Sequence, residues 1–117
     1  MSAETDFRGL LAAYAPLTAL VGTRIAQNAV PQGAALPYIA YVAQHQPEYG
    51  LDNTLHASAV TITCECWADT AAAADAVADH VQAAVEADDR VITARASSFD
   101  PDVGLDATVL SVEWWRT

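Results

Sequence analysis

The sequence predicts one α+β domain over residues 1–117: an antiparallel or mixed β-sheet of about four to five strands, with an N-terminal helix and one long helix packed on one face. Three observations carry that expectation. Residues 59–67 alternate with a period of two, so Val60, Ile62, Cys64 and Cys66 share one face and Thr61, Thr63, Glu65 and Trp67 the other, as in a half-buried strand. The Ala-rich run that follows places Val77, Val81, Ala84 and Val85 on one side at helical spacing, extended by Ala73 and Ala74, with Asp75, Asp79, Gln82 and Glu86 opposite. The whole chain reads in the order α-(α)-β-β-β-α-β-β, which suits helices on one face of a largely antiparallel sheet.

Taken in order, Phe7, Leu10, Leu11 and Tyr14 recur at three and four residues and make residues 4–15 an amphipathic helix. Pro16 stops it or starts a second short turn through Leu17, Leu20 and Val21, with Gly22 in a helix-ending position. A short strand is expected over residues 24–30, ended by Pro31-Gln32-Gly33. Residues 38–44 form the next strand. Both of its faces, Ile39/Tyr41/Ala43 and Tyr38/Ala40/Val42, are largely apolar, as suits a central strand. Residues 45–57 carry Pro47, Gly50, Asp52 and Asn53 and are expected to form a loop, long for a hairpin and therefore a candidate functional arm. Asp69 or Thr70 offers a side-chain oxygen to cap the Ala-rich helix. Residues 91–96 are expected as a strand and residues 99–106 as an acidic loop. The final strand, 107–116, alternates Thr108/Leu110/Val112/Trp114 against Val109/Ser111/Glu113/Trp115.

Composition excludes several classes. A hydrophobic content of 53% with 17% charged residues is that of a folded chain with a core. No apolar run approaches the roughly 20 residues that span a bilayer. The start, Met1 to Asp6, is acidic and lacks the basic and apolar blocks of a signal peptide, so folding in the cytoplasm is expected. Fifteen acids face five bases, all Arg, for a net charge of −10. Gripping DNA requires cations that displace counterions from phosphate, and this chain has too few for a patch. Like charge instead lets nucleic acid pass without sticking.

The residues that could carry chemistry do not assemble into a catalytic pattern. Cys64 and Cys66 lie two apart on a strand, where side chains point the same way and are poorly placed to bridge, and they are expected to be reduced core cysteines. Asp100, Asp102 and Asp106 surround Gly104 without the spacing of a calcium loop, so a solvated acidic loop is expected and no metal. His45, His56 and His80 fall in no HxH or HExxH frame, and neither a nucleophile elbow nor a glycine-rich phosphate loop is present. A dyad of Cys64 or Cys66 with His80 is conceivable, but core-facing thiols are inert. Neither enzyme activity nor a cofactor is expected. Trp67, Trp115 and Tyr38 are expected on the sheet face away from the core helix, either packed under the N-terminal helix or exposed as an aromatic partner surface.

One run of residues is more specific. Leu17-Thr18-Ala19-Leu20-Val21-Gly22-Thr23-Arg24-Ile25 precedes Pro31-Gln32-Gly33-Ala34-Ala35-Leu36-Pro37-Tyr38-Ile39-Ala40-Tyr41. Cys66-Trp67-Ala68-Asp69-Thr70, the helix from Ala71 and the late Trp114-Trp115 follow. In this order they resemble, over nearly the whole chain, the small tail-completion proteins of long-tailed bacteriophages, also called tail terminator or tail-to-head joining proteins. The resemblance implies an α+β structural virion subunit that forms a ring, commonly a hexamer, at the head-proximal end of the tail tube. Such a ring stops tube polymerisation and joins the tail to the head connector. Implied partners are further copies of the chain, the major tail tube protein and head–tail connector or neck proteins. DNA passes the lumen without specific binding, and no membrane is involved. The implied location is the tail–head junction of the virion, after synthesis in the host cytoplasm. A head-completion or neck protein, or a small non-viral adaptor module, is the alternative. Within this frame, Tyr49 and Leu51, with Asp52 and Asn53, are expected on an arm that reaches a neighbouring subunit or the tube. Trp67 and Trp115 are expected to form an aromatic partner surface, and Asp100, Asp102 and Asp106 an acidic lumen or exterior.

Overall fold

The computed structural model describes residues 3–28, 35–49 and 55–116, with side chains described for all of these except 46–49, 55–59, 115 and 116. The elements are α1 (Ala3–Ala12), α2 (Ala15–Val21), β1 (Ile25–Gln27), β2 (Tyr38–Tyr49), β3 (Leu55–Ala68), α3 (Ala71–Ala87), β4 (Val91–Asp100) and β5 (Leu105–Arg116). The strands form one sheet in the order β1-β2-β3-β5-β4. β1 runs parallel to β2 and the other pairs are antiparallel, so the sheet is mixed.

The alternation in β3 places Val60, Ile62, Cys64 and Cys66 on one face, each fully buried. Ile39 and Tyr41 of β2 and Leu110, Val112 and Trp114 of β5 complete that face. α3 lies across β3, β5 and β4, and α1 reaches β2. The α3 stripe of Val77, Ala78, Val81, Ala84 and Val85 closes on the sheet together with Phe7, Leu11, Leu17 and Val21. Small α3 side chains allow this close approach, and α1 supplies the bulk. Phe7 meets Tyr41 and Trp114 edge-on, with ring centroids 5.4 and 5.9 Å away.

The helix boundaries follow from local chemistry. α1 ends at Ala12, short of the expected 15, because Pro16 sits in the first turn of α2, where a missing N–H leaves no orphan. Gly22 ends α2 at φ +58°, a backbone angle glycine adopts freely, and its N–H bonds Thr18 O at 2.8 Å. Thr70, rather than Asp69, caps α3: its Oγ1 accepts the Ala73 N–H at 3.1 Å.

Three expectations are corrected. The first strand is only Ile25–Gln27, because Asn28 turns to φ +72°, and Pro31-Gln32-Gly33 fall outside the described residues. The expected loop over 45–57 is largely paired strand: β2 continues to Tyr49 and β3 begins at Leu55, with a register shift between Glu48 and Tyr49. Pro47 fits there because, among the described residues, β1 pairs only with Ile39, Ala40 and Tyr41 and the remainder of β2 has no second neighbour, an edge position where a missing N–H costs no ladder bond. β4 runs on to Asp100, leaving residues 101–104 as the turn. Its outer half lies at the sheet edge, exposed on both sides, so no alternation announces it.

Phe7 is fully buried at the junction of α1 with the sheet, so Phe7→Ala is expected to cost about 3–5 kcal/mol in denaturant unfolding. Thr70→Ala removes one cap bond and is expected to cost about 1 kcal/mol, without changing the denaturant slope.

Candidate assembly surfaces

The described helices α1 and α3 both pack on one side of the sheet, so its other face has no helical layer among the described residues. The pairing register lays out that open face. Tyr38, Trp67 and Ala107 form one row, Ala40, Glu65 and Val109 the next, and Val42, Thr63 and Ser111 a third. Ala40 and Ala107 are buried, Tyr38 and Trp67 are half-buried, and Val42 is 42% exposed. Burial pushes the Tyr38 phenol up from its ordinary pKa, and the carboxylates of Glu65 and Asp100 add to the shift. Trp67 thus sits with Tyr38 on the face away from the helices. Trp115 pairs through its backbone with Ala59, and its side chain lies outside the described set.

The arm is a two-stranded extension of the sheet. Tyr49 pairs with Leu55 at its far end, while Leu51, Asp52 and Asn53 fall outside the described residues. The described arm contributes to an elongated outline of 50 × 30 × 23 Å. At its base, His45 Nε2 lies 2.6 Å from Glu4 Oε1 and ties the strand to the start of α1.

Asp100, Asp102 and Asp106 do not converge. Asp100 pairs with Leu105 and Asp106 with Phe99, adjacent rungs that point to opposite faces. Asp100 lies on the open face, within electrostatic reach of Tyr38, while Asp106 lies on the same side as Thr108, whose hydroxyl donates to Asp75 of α3 at 2.6 Å. Asp102 is exposed in the turn and its backbone N–H bonds Asp100 Oδ1 at 3.0 Å. The turn closes at Gly104, φ +68°, whose N–H bonds Asp100 O at 2.8 Å. Among the described residues, no three of His, Cys, Asp and Glu come together as a metal set.

Cys64 and Cys66 are free and buried. A hydrogen bond to Cys66, then burial, raises the Cys64 thiol well above its usual pKa. His80 lies against the Tyr14 ring, centroids 6.2 Å apart, so both halves of the conceivable Cys–His dyad are engaged elsewhere. Sequence reasoning assigned no role to Arg90, whose guanidinium stacks 3.3 Å above the Trp114 ring while its Nε bonds Asp88 Oδ2 at 2.9 Å. Its position directly after the helix was the available signal, but which aromatic it would reach depends on the fold of β5. No described helix is long and apolar enough to cross a membrane.

A family model described as tail completion protein gp17 matches residues 5–117. A solved structure described as the virion of a native gene transfer agent (GTA) particle contains a chain of similar fold. Its TM-score is 0.73 at 22% identity, over 92% of this chain and 88% of that one. No curated protein matches.

The raised Cys64 pKa means that the folded thiol keeps its proton to higher pH than the unfolded one. Its contribution to stability is complete below the unfolded value and is lost as pH rises through the folded one. Thiol reagent at pH 8 is expected to label Cys64 and Cys66 only at the rate of unfolding, and quickly in denaturant. Rapid labelling of the native protein contradicts this placement.

Proposed function

The chain belongs to the tail completion protein gp17 family, a structural, tail-related class of phage virion protein, and from that premise we propose that it forms a ring at the head-proximal end of the tail tube. The ring is hexameric, ends tube polymerisation and presents the surface to which the head connector docks. The observation that carries this reading is the family match over residues 5–117, nearly the full chain.

The geometry supports it in three ways. An α+β subunit with a one-sided helical layer keeps a sheet face available for contact, with Trp67 and Tyr38 at one end as apolar anchors and, in this proposal, Trp115 on the same strand as Trp114. The β2–β3 arm extends past β5 and can reach a neighbouring subunit or the tube, with Tyr49 and Leu51 as anchors and Asp52 and Asn53 supplying polar contacts. A net charge of −10 suits a lumen through which DNA slides, and Asp100, Asp102 and Asp106 are proposed to contribute to that acidic surface or to the exterior. The partners are further copies of the chain, the tail tube protein and the connector, and the place of action is the tail–head junction. The role needs no catalysis and no cofactor.

Absolute mass by light scattering, with and without tube protein, tests this. A closed species of about 74 kDa, six copies of the 12.3 kDa chain, alone or seated on tube, is expected. A monomer that also ignores the tube contradicts the ring and favours an adaptor. Tyr49→Asp with Leu51→Asp is expected to abolish assembly while leaving the monomer folded by circular dichroism, and unchanged assembly removes the arm from the contact.

A further inference from the structure

Charge is partitioned along this chain. Residues 7–47 contain no Asp or Glu and two bases, Arg8 and Arg24, whereas residues 48–117 hold thirteen acids against Arg90, Arg95 and Arg116. The sheet order turns that partition into a lateral one. α2 and β1 lie wholly within the acid-free stretch and occupy one side of the molecule together with α1, whose first turn adds Glu4 and Asp6, and β2, which reaches Glu48 near its end; α3, β5 and β4 occupy the other side. The cations on the two sides are used differently. Arg24 donates to two neutral carbonyls, Pro37 O and Leu20 O, each at 3.0 Å. Arg95 is already matched by Asp79 at 2.9 Å and Asp75 at 3.7 Å, and Arg90 by Asp88 at 2.9 Å. Residues 69–99 nevertheless hold six acids against those two arginines. Each flank also shows apolar surface: Leu20 is 39% exposed on the first, Val91 and Phe99 are 60% and 57% exposed on the second.

We propose that these flanks are the two halves of one head-to-tail contact between copies of this chain, the α2–β1 flank of one copy docking on the α3–β4 flank of the next. The inference rests on the ring reading and names the surfaces that build it. The occupant follows from charge. An acidic subunit at −10 repels its copies almost everywhere, and the acid-free flank is the surface on which the acidic flank meets attraction. The same asymmetry disfavours two-fold pairing, because the α3–β4 flank set against itself brings like charges together. A contact between two different surfaces repeats with rotation and closes into a ring, whereas a self-complementary one stops at a dimer.

Charge exchange tests the contact. Ala19 and Gln27 on the first flank, and Glu86 and Ser97 on the second, are exposed. Ala19→Glu with Gln27→Glu is expected to weaken copy–copy association at least about tenfold in sedimentation, alone and on tube, and so is Glu86→Lys with Ser97→Lys. All four substitutions in one chain are expected to bring association back to within about threefold of the original. Melting curves check the fold, and Thr23→Glu replaces the first pair if that variant melts early. Association of the original chain that neither pair weakens, or that the fourfold variant does not recover, overturns this contact and leaves the ring standing. Loss of tube binding alone, with copy–copy association intact, assigns the flank to the tube protein and also overturns it. An original chain that associates neither alone nor on tube overturns the ring reading and this contact with it.

Discussion

The structure depends on one constraint: the apolar face of β3 must be dry. Val60, Ile62, Cys64 and Cys66 stand at 0% exposure in the middle strand of five, flanked by β2 and β5. Burying four such side chains is worth several kcal/mol, at roughly 25 cal/mol per Å² of apolar surface removed from water. α3 is shaped to do this, its Ala and Val stripe letting the helix axis approach the sheet while Phe7 fills the wider gap over β2 and β5. The same burial keeps the two thiols protonated and unreactive, so the only cysteines of the chain belong to the fold.

A single helical layer satisfies that constraint and leaves the rest of the surface asymmetric. The second face of the sheet carries a Tyr38–Trp67 row and hydroxyls of Thr63 and Ser111 where a sandwich would place another apolar layer. β2 outruns β1 and forms, with β3, an arm whose outer edge tolerates Pro47. The two lateral flanks differ in charge because the acid-free stretch folds onto one side. In the proposed ring, the open face, the arm and the unlike flanks are the surfaces offered to the tube, the connector and neighbouring copies.

Much of this was legible beforehand where one face of an element meets the core and the other does not. The β3 alternation, the α3 stripe, the α1 spacing of Phe7 and Leu11 and the order of elements all carry their periods openly, because burial on one side imprints a period. Residues 45–57 read as a loop in sequence because Pro47, Gly50, Asp52 and Asn53 are turn formers, and the pairing of β2 with β3 there leaves no one-sided apolar pattern. The end of β4 beyond the expected residue 96 has no signal for the same reason, since Ser97, Ser98 and Phe99 are all exposed. The three acids near Gly104 looked like one cluster in sequence, but a two-residue period sends Asp100 and Asp106 to opposite faces. The Arg90–Trp114 stack joins residues far apart in the chain, and a stack of that kind has no local signature.

The most direct measurement is an electron cryo-microscopy reconstruction of the head-proximal tail end from particles made with and without this chain. If the chain caps the tube, one added ring of six copies lies between the last tube ring and the connector, and tubes made without the chain are uncapped and uneven in length. Identical tail ends in the two preparations, or density for the chain elsewhere in the particle, contradict that placement.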